Sequence, residues 1–266
     1  MNPYRDTFED TTIGEITQGS VFVGGISKSY KDNETYGVII TPRCDIAQKK
    51  VLIYYYLPMV SFESWLAVDF PLLFINYLKK DTYGGLRSTL KQLNMSDSIV
   101  GKYKSNQIKE VADKFLDGNI NNALKKFLDK LSDVEKYQEH KITDEEIISK
   151  YHKFKEPILN DLISNKNPDF YLIENRKFIY VIRVKELNRL TRDFLFKLAG
   201  GIDHSLSGEE LRDNDIRQLN QDELFMPIFK IKSPYIEHIM QHFMQQFNRI
   251  GVEDLCDVTI RKIKGI

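Results

Sequence analysis

Five consecutive residues, Thr41-Pro42-Arg43-Cys44-Asp45, place a hydroxyl, a guanidinium, a thiol and a carboxylate on one short corner. A β-branched apolar run at 38–40 stops there, and a second apolar run, 51–60, follows almost at once. Proline cannot donate within a sheet, so Pro42 ends the first run or confines it to an edge. Such a corner could cleave a phosphodiester without a metal if a base, an acid and a cation met at one phosphate. Thr41, Arg43 and Asp45 are the candidate catalytic residues for that chemistry. A thiolate nucleophile would need a base beside it, and no histidine precedes His140 in the chain. Cysteine is among the most buried residue types. Cys44 is therefore expected to fill a small core space and Asp45 to cap a turn or short helix at 46–49, while Arg43 and Asp45 stay open as functional groups.

Other spacings are less complete. His238 and His242 lie four apart, but Glu237 precedes the first, so the order is not that of a zinc protease, and glutamines surround the pair. They are expected on a solvated or interface face, and no metal site or cofactor is assigned. Asp213-Asn214-Asp215 lacks the glycine and distal glutamate of a calcium loop, and Leu198-Ala199-Gly200-Gly201 reads as a helix end. Cys44 and Cys256 make neither a disulfide framework nor a zinc quartet. Lys28, Lys31, Arg183, Lys185, Arg189 and Arg192, with Tyr54 and Tyr56 as a stacking surface, are the candidate contacts to a nucleic acid or another partner. Strand alternation puts Tyr55 on the face opposite Tyr54 and Tyr56, so at least one of the three belongs to the core.

The elements that must position these groups fall into three regions. Apolar runs at 19–26, 36–41 and 51–60 read as strands, with Gly24-Gly25 and Gly37 as bends. Residues 62–165 read as helices. Ile108, Val111, Ala112, Phe115 and Leu116 form one stripe before Gly118, and Ile120, Leu124, Phe127, Leu128 and Leu131 form another. Thr143 and Glu146 have capping-box spacing, and the helix they start is expected to break at Pro157. Residues 169–173 and 178–184 form a hairpin, and a polar stretch, 200–223, precedes a strand at 224–231. Ser233 as cap and Pro234 as first residue open a helix striped by Ile236, Ile239, Met240, Phe243, Phe247 and Ile250 and closed by Gly251.

Each β-segment alone offers about three strands, few for a stable sheet. The chain is therefore predicted to be α+β: a small SH3-like β-barrel or coiled antiparallel sheet built from both chain ends (1–61 and 166–266), with a helical insertion (62–165) and a C-terminal helix. With 266 residues, 42% of them hydrophobic, it can bury a sizeable core. Lysine plus arginine equal aspartate plus glutamate at 38 each, so no global field draws it to nucleic acid or membrane. Locally, residues 166–199 carry eight basic and four acidic side chains, and residues 203–224 seven acidic and two basic. The start of the chain lacks a signal-peptide pattern, and the apolar stretch 65–78 is too short to span a bilayer. A cytoplasmic setting without membrane contact is expected. The richness in Lys, Asn, Ile and Tyr suits a low-GC bacterium.

The order of a glycine-started strand at 19–23, a polar loop, the strand 38–41, later strands and a closing helix resembles the MazF/PemK-like small barrels over residues 19–61 and 168–250. That resemblance implies an SH3-like barrel and metal-independent RNA cleavage. Thr41 and Arg43 are the nearest counterparts of the family's hydroxyl and basic residues, with Lys28 or Lys31 serving from the loop. The Cys44-Asp45 corner, the insertion and the balanced charge depart from the toxin pattern. The expected function is an interaction component of a bacterial multi-protein system, of defence or toxin–antitoxin type, with a protein partner or RNA as ligand. The alternatives are an endoribonuclease and a single-stranded nucleic-acid-binding module.

Overall fold

The computed structural model describes residues 5–12, 14–31, 34–175, 178–203, 206–217, 219 and 223–247. Cys256, His204, Arg176, Lys177, Ile250 and Gly251 lie outside them. The chain divides into two compact units, Met1–Ser61 with Asn165–Ile266, and Phe62–Ser164.

The first unit holds eight strands among the described residues: β1 (Phe8–Glu9), β2 (Ser20–Val23), β3 (Tyr36–Ile39), β4 (Ile53–Ser61), β5 (Phe170–Asn175), β6 (Phe178–Arg183), β7 (Asn188–Thr191) and β8 (Pro227–Ile231). The α-helices, in chain order, are α1 (Arg43–Ala47), α2 (Phe62–Gln92), α3 (Ser105–Phe115), α4 (Asn122–Gln138), α5 (Asp144–Lys150), α6 (Lys155–Ile163), α7 (Arg192–Gly200), α8 (Gly208–Asp213) and α9 (Tyr235–Met244).

The strands run β1-β8-β2-β3-β4-β6-β5, all antiparallel, and form a nearly closed barrel. At the seam, Asp6 bridges to Asn175, and the Thr7 hydroxyl donates to the Glu174 carbonyl. Strand β8 joins the chain ends by lying between β1 (Phe8 opposite Ile231) and β2 (Val21 opposite Phe229). Strand β4 forks: Met59, Val60 and Ser61 pair with β6, whereas residues 53–56 pair with β7.

Alternation along the strands sorts two cores. Val21, Val38, Leu57, Met59, Ile182 and Ile231 share one, which Ile236 and Ile239 of α9 also enter. Phe22, Ile39, Tyr54 and Tyr56 form the other with Phe194, Leu195 and Leu198 of α7. Gly37 is not a bend. It sits within β3, where a Cβ would lie 2.2 Å from the Phe22 ring and 2.9 Å from Tyr56, so glycine is required by packing. The irregularity of the sheet falls instead between Val21 and Phe22 of β2.

Several local expectations are corrected. Helix α9 begins at Tyr235 with Pro234 at the cap, and no side chain caps it, so Ser233 does not. It ends at Met244, so Phe247 of the expected stripe lies past its end, and Ile250 and Gly251 lie outside the described residues. The polar stretch 200–223 is not a mere spacer: it holds α8 and buries Ile216 and Leu219 in the second core.

In the second unit, Leu86 and Leu90 of α2 pack with Ile108 and Ala112 of α3 and with Leu124, Leu128 and Leu131 of α4. The Thr143–Glu146 capping box is formed on both sides. Its helix stops at Lys150, before Pro157, which sits in the first turn of α6, where its missing N–H costs nothing. Among the described residues no helix is long and apolar enough to cross a membrane.

Two glycine substitutions test this packing. Gly37→Ala should destabilise the barrel by about 1–3 kcal/mol through overpacking. Gly84→Ala, exposed in α2 with nothing near its missing Cβ, should be stabilising by about 0.5–1 kcal/mol. Urea denaturation of both variants beside the parent reads the opposite signs.

Candidate functional site

The corner after β3 is built largely from its own backbone. Ile40 N–H donates to the Tyr55 carbonyl, and the Thr41 hydroxyl accepts from Tyr55 N–H at 2.8 Å, extending the ladder by a side chain. Thr41 is buried. Pro42 starts α1, and its carbonyl accepts from Asp45 and Ile46 N–H. Asp45 does not cap that helix with its side chain.

The buried residue of α1 is Ile46, not Cys44. Cys44 is exposed, with its sulfur 3.6 Å from Asp45 Oδ1, which corrects the expectation of a core cysteine. The helix has one inward position to fill, and the larger aliphatic side chain takes it. Arg43 Nη2 reaches Glu237 Oε1 of α9 at 3.4 Å, both half exposed, a pair that contributes under about 1 kcal/mol.

Beneath the corner lies Tyr54, fully buried, its ring edge-on to Phe196 with Lys49 over the far ring. Among the described residues its hydroxyl has no hydrogen-bond partner. Burial raises its pKa, Arg192 pulls it down and Asp45 pushes it up. Tyr56 is also fully buried, and burial raises its pKa further. Neither can stack on a base; the exposed member of the trio is Tyr55.

The basic residues do not share one face. Lys185 pairs with Asp169 at 2.5 Å. Arg189 donates its backbone N–H to Asp215 Oδ2, and Arg192 opens α7 with its N–H on the Leu52 carbonyl. Asp215 and Asn214 thus serve structure: the buried Asn214 accepts from Thr191 N–H and hydroxyl. Of the histidine pair, His238 is exposed, as expected of a solvated face, whereas His242 turns inward. His242 is buried with Nε2 2.8 Å from the Asn167 carbonyl, and His238 Nδ1 lies 2.9 Å from the Tyr171 hydroxyl. Burial pushes the Tyr171 phenol up to about 12.

Lys28, Lys31 and Arg183 do converge, at the loop joining β2 to β3. Glu186 binds this loop with both oxygens: Oε2 accepts from the Ser27 hydroxyl at 2.6 Å and Oε1 from Lys28 N–H at 2.7 Å. Arg183 Nε donates to the same Oε2 at 2.9 Å, and its guanidinium lies over the buried Tyr30 ring. The loop's inner side is held by Asn188, whose amide donates to the Ile26 carbonyl, and by the Tyr56 hydroxyl, which accepts from Ile26 N–H.

Outside this frame opens a pocket of about 670 Å³. Gly25, Ile26 and Ile216 give it apolar wall; Lys28, Lys31 and Arg217 give it positive charge. Gly25 meets Ile216 in a β-bridge, and a Cβ on Gly25 would lie 2.5 Å from the Tyr36 backbone, so the strands approach closely there. Arg217 is paired with Glu223 at 3.2 Å, while its buried Nε has no hydrogen bond among the described residues. Among the described residues neither loop lysine forms an ion pair.

Sequence reasoning named Lys28, Lys31 and Arg183 but missed Arg217, Ile216 and Glu186. Glu186, one of four acidic residues in the basic stretch 166–199, was the available signal. No protein-family model, curated protein or solved structure matches the chain.

Two measurements test the corner. Thr41→Val should lower stability by about 1–3 kcal/mol, because Tyr55 N–H is left without its acceptor, while Thr41→Ser should recover most of it. Native Cys44 should react with a thiol reagent nearly as fast as in the unfolded chain, without a change in melting temperature.

Proposed function

We propose that the protein is a non-catalytic interaction component of a bacterial multi-protein system, a binding rather than RNA-cleaving barrel of MazF/PemK-like type. Its recognition site is the loop-end pocket, and its partner is a protein that presents an acidic segment carrying an apolar side chain. The observation that carries this reading is the pairing of Ile26 and Ile216 with Lys28, Lys31 and Arg217 around one rigidly framed pocket. Such a pocket buries one apolar anchor while cations hold a neighbouring carboxylate.

The competing nuclease reading draws less support. The Thr41 hydroxyl is spent on the backbone and buried, and Arg43 faces Glu237. A base-stacking reading draws less too, since Tyr54 and Tyr56 are inside.

Selection of a displayed peptide library on the full chain, followed by titration of the enriched peptides, tests the proposal. Enriched peptides should combine Asp or Glu with Leu, Ile or Phe. Joint replacement Lys28→Glu and Lys31→Glu should weaken them at least tenfold, about 1.4 kcal/mol, at an unchanged melting temperature. Enrichment without acidic residues, or indifference to the double replacement, would overturn it. So would cleavage of single-stranded RNA that Arg43→Ala abolishes.

A further inference from the structure

Helix α4 carries an apolar face and a basic one. Leu124, Leu128 and Leu131 enter the core of the second unit, whereas Asn122, Lys125, Lys126 and Asp129 are exposed along the other side. A pocket of about 490 Å³ opens against this side, and Lys150, Tyr151 and Lys153 bound it across from α4. The volume lies within the range of small-ligand sites.

Five lysines line this pocket against one carboxylate, Asp129. Two are already neutralised and fixed. Lys130, buried between the Phe127 and Phe154 rings, pairs with Asp81 at 2.7 Å. Lys150 pairs with Asp133 at 2.5 Å, and the Tyr151 hydroxyl donates to the same carboxylate at 2.6 Å. Lys125, Lys126 and Lys153 have no ion pair among the described residues, which leaves positive charge in excess at the rim even after Asp129 is counted. The start of α4 adds to it. Leu124 N–H is taken by the Asn121 cap, but the N–H groups of Asn122 and Ala123 have no intrahelical acceptor and present the positive end of the helix dipole.

We infer that this pocket of the helical insertion binds closely spaced phosphate groups, two or three in a row. Compact, mobile ammonium groups suit phosphate oxygens, and a multiply charged anion matches several unpaired lysines better than a single carboxylate does. The phosphates could belong to a free polyphosphate or to a nucleic-acid backbone. The site is separate from the barrel pocket and does not depend on its reading.

The test titrates the full chain with inorganic tripolyphosphate and with a short labelled single-stranded oligonucleotide, at about 50 and about 200 mM salt. Tripolyphosphate should bind at low salt and weaken at high salt. Joint replacement Lys125→Gln, Lys126→Gln and Lys153→Gln should weaken it at least tenfold. Asp129→Asn should tighten it severalfold, a gain that a damaged fold would not give, and Lys31→Glu in the barrel should leave it unchanged. Oligonucleotide binding lost in the same triple variant would assign the phosphates to a nucleic-acid backbone; tripolyphosphate binding alone would assign them to a free polyphosphate. Absence of tripolyphosphate binding at low salt, equal affinity in the triple variant, or no gain from Asp129→Asn would overturn the inference.

Discussion

The carboxylate of Glu186 is the point on which the recognition end of the barrel depends. The twelve-residue connection between β2 (ending at Val23) and β3 (starting at Tyr36) is long for a hairpin, and its described residues form no helix or strand. One side chain from beyond β6 fastens it by accepting from Ser27, from Lys28 N–H and from Arg183. With Glu186 only 14% exposed, the bonds from Ser27 and Arg183 are partly shielded from water and worth more than surface pairs, while the Lys28 N–H bond lies at the surface. Removing the carboxylate would leave three donors unsatisfied together. The loop, and with it the placement of Lys28 and Lys31, would lose its anchor.

Buried hydroxyls serve the same end. The Tyr56 hydroxyl accepts from Ile26 N–H and donates to the Asp215 carbonyl, so one phenol links the loop, the second core and the segment that brings Ile216 and Arg217 to the pocket. Thr41 does a similar task at the other end of β3. Both were candidates for chemistry or binding by type, and both hold backbone together. Hydrogen-bonding groups inside a protein are rarely left without partners; irregular backbone at Ile26 and Asp215 supplies those of Tyr56, and strand β4 supplies that of Thr41.

Much of the architecture was legible because it rests on local period. The apolar runs at 36–41 and 51–60 were legible as strands because both their faces are buried, and the helical stripes of α3 and α4 because each helix packs one face, although Val111 and Phe115 of the α3 stripe are exposed. Thr143 and Glu146 were readable for the same reason. What was not legible depends on residues far apart in sequence. Gly37 is glycine because of the rings of Phe22 and Tyr56, and the pocket combines residues 25–31 with 216–217. Cys44 is exposed because Ile46 takes the inward position of a five-residue helix, a choice the types alone did not decide. His242 turns inward because the carbonyl of Asn167 lies where its ring can reach it.

The central claim is that the recognition loop is held in one conformation before any partner arrives. Amide hydrogen exchange of Ile26 and Lys28, compared between the parent chain and Glu186→Ala, tests it most directly. In the parent both amides should exchange slowly, since Tyr56 and Glu186 accept their hydrogens. In the variant Lys28 should exchange at least tenfold faster, the effect of losing about 1.4 kcal/mol of local protection, while Val38 and Leu57 in the barrel stay protected. Fast exchange at Lys28 in the parent chain, or the same slow exchange in the variant, would contradict the account.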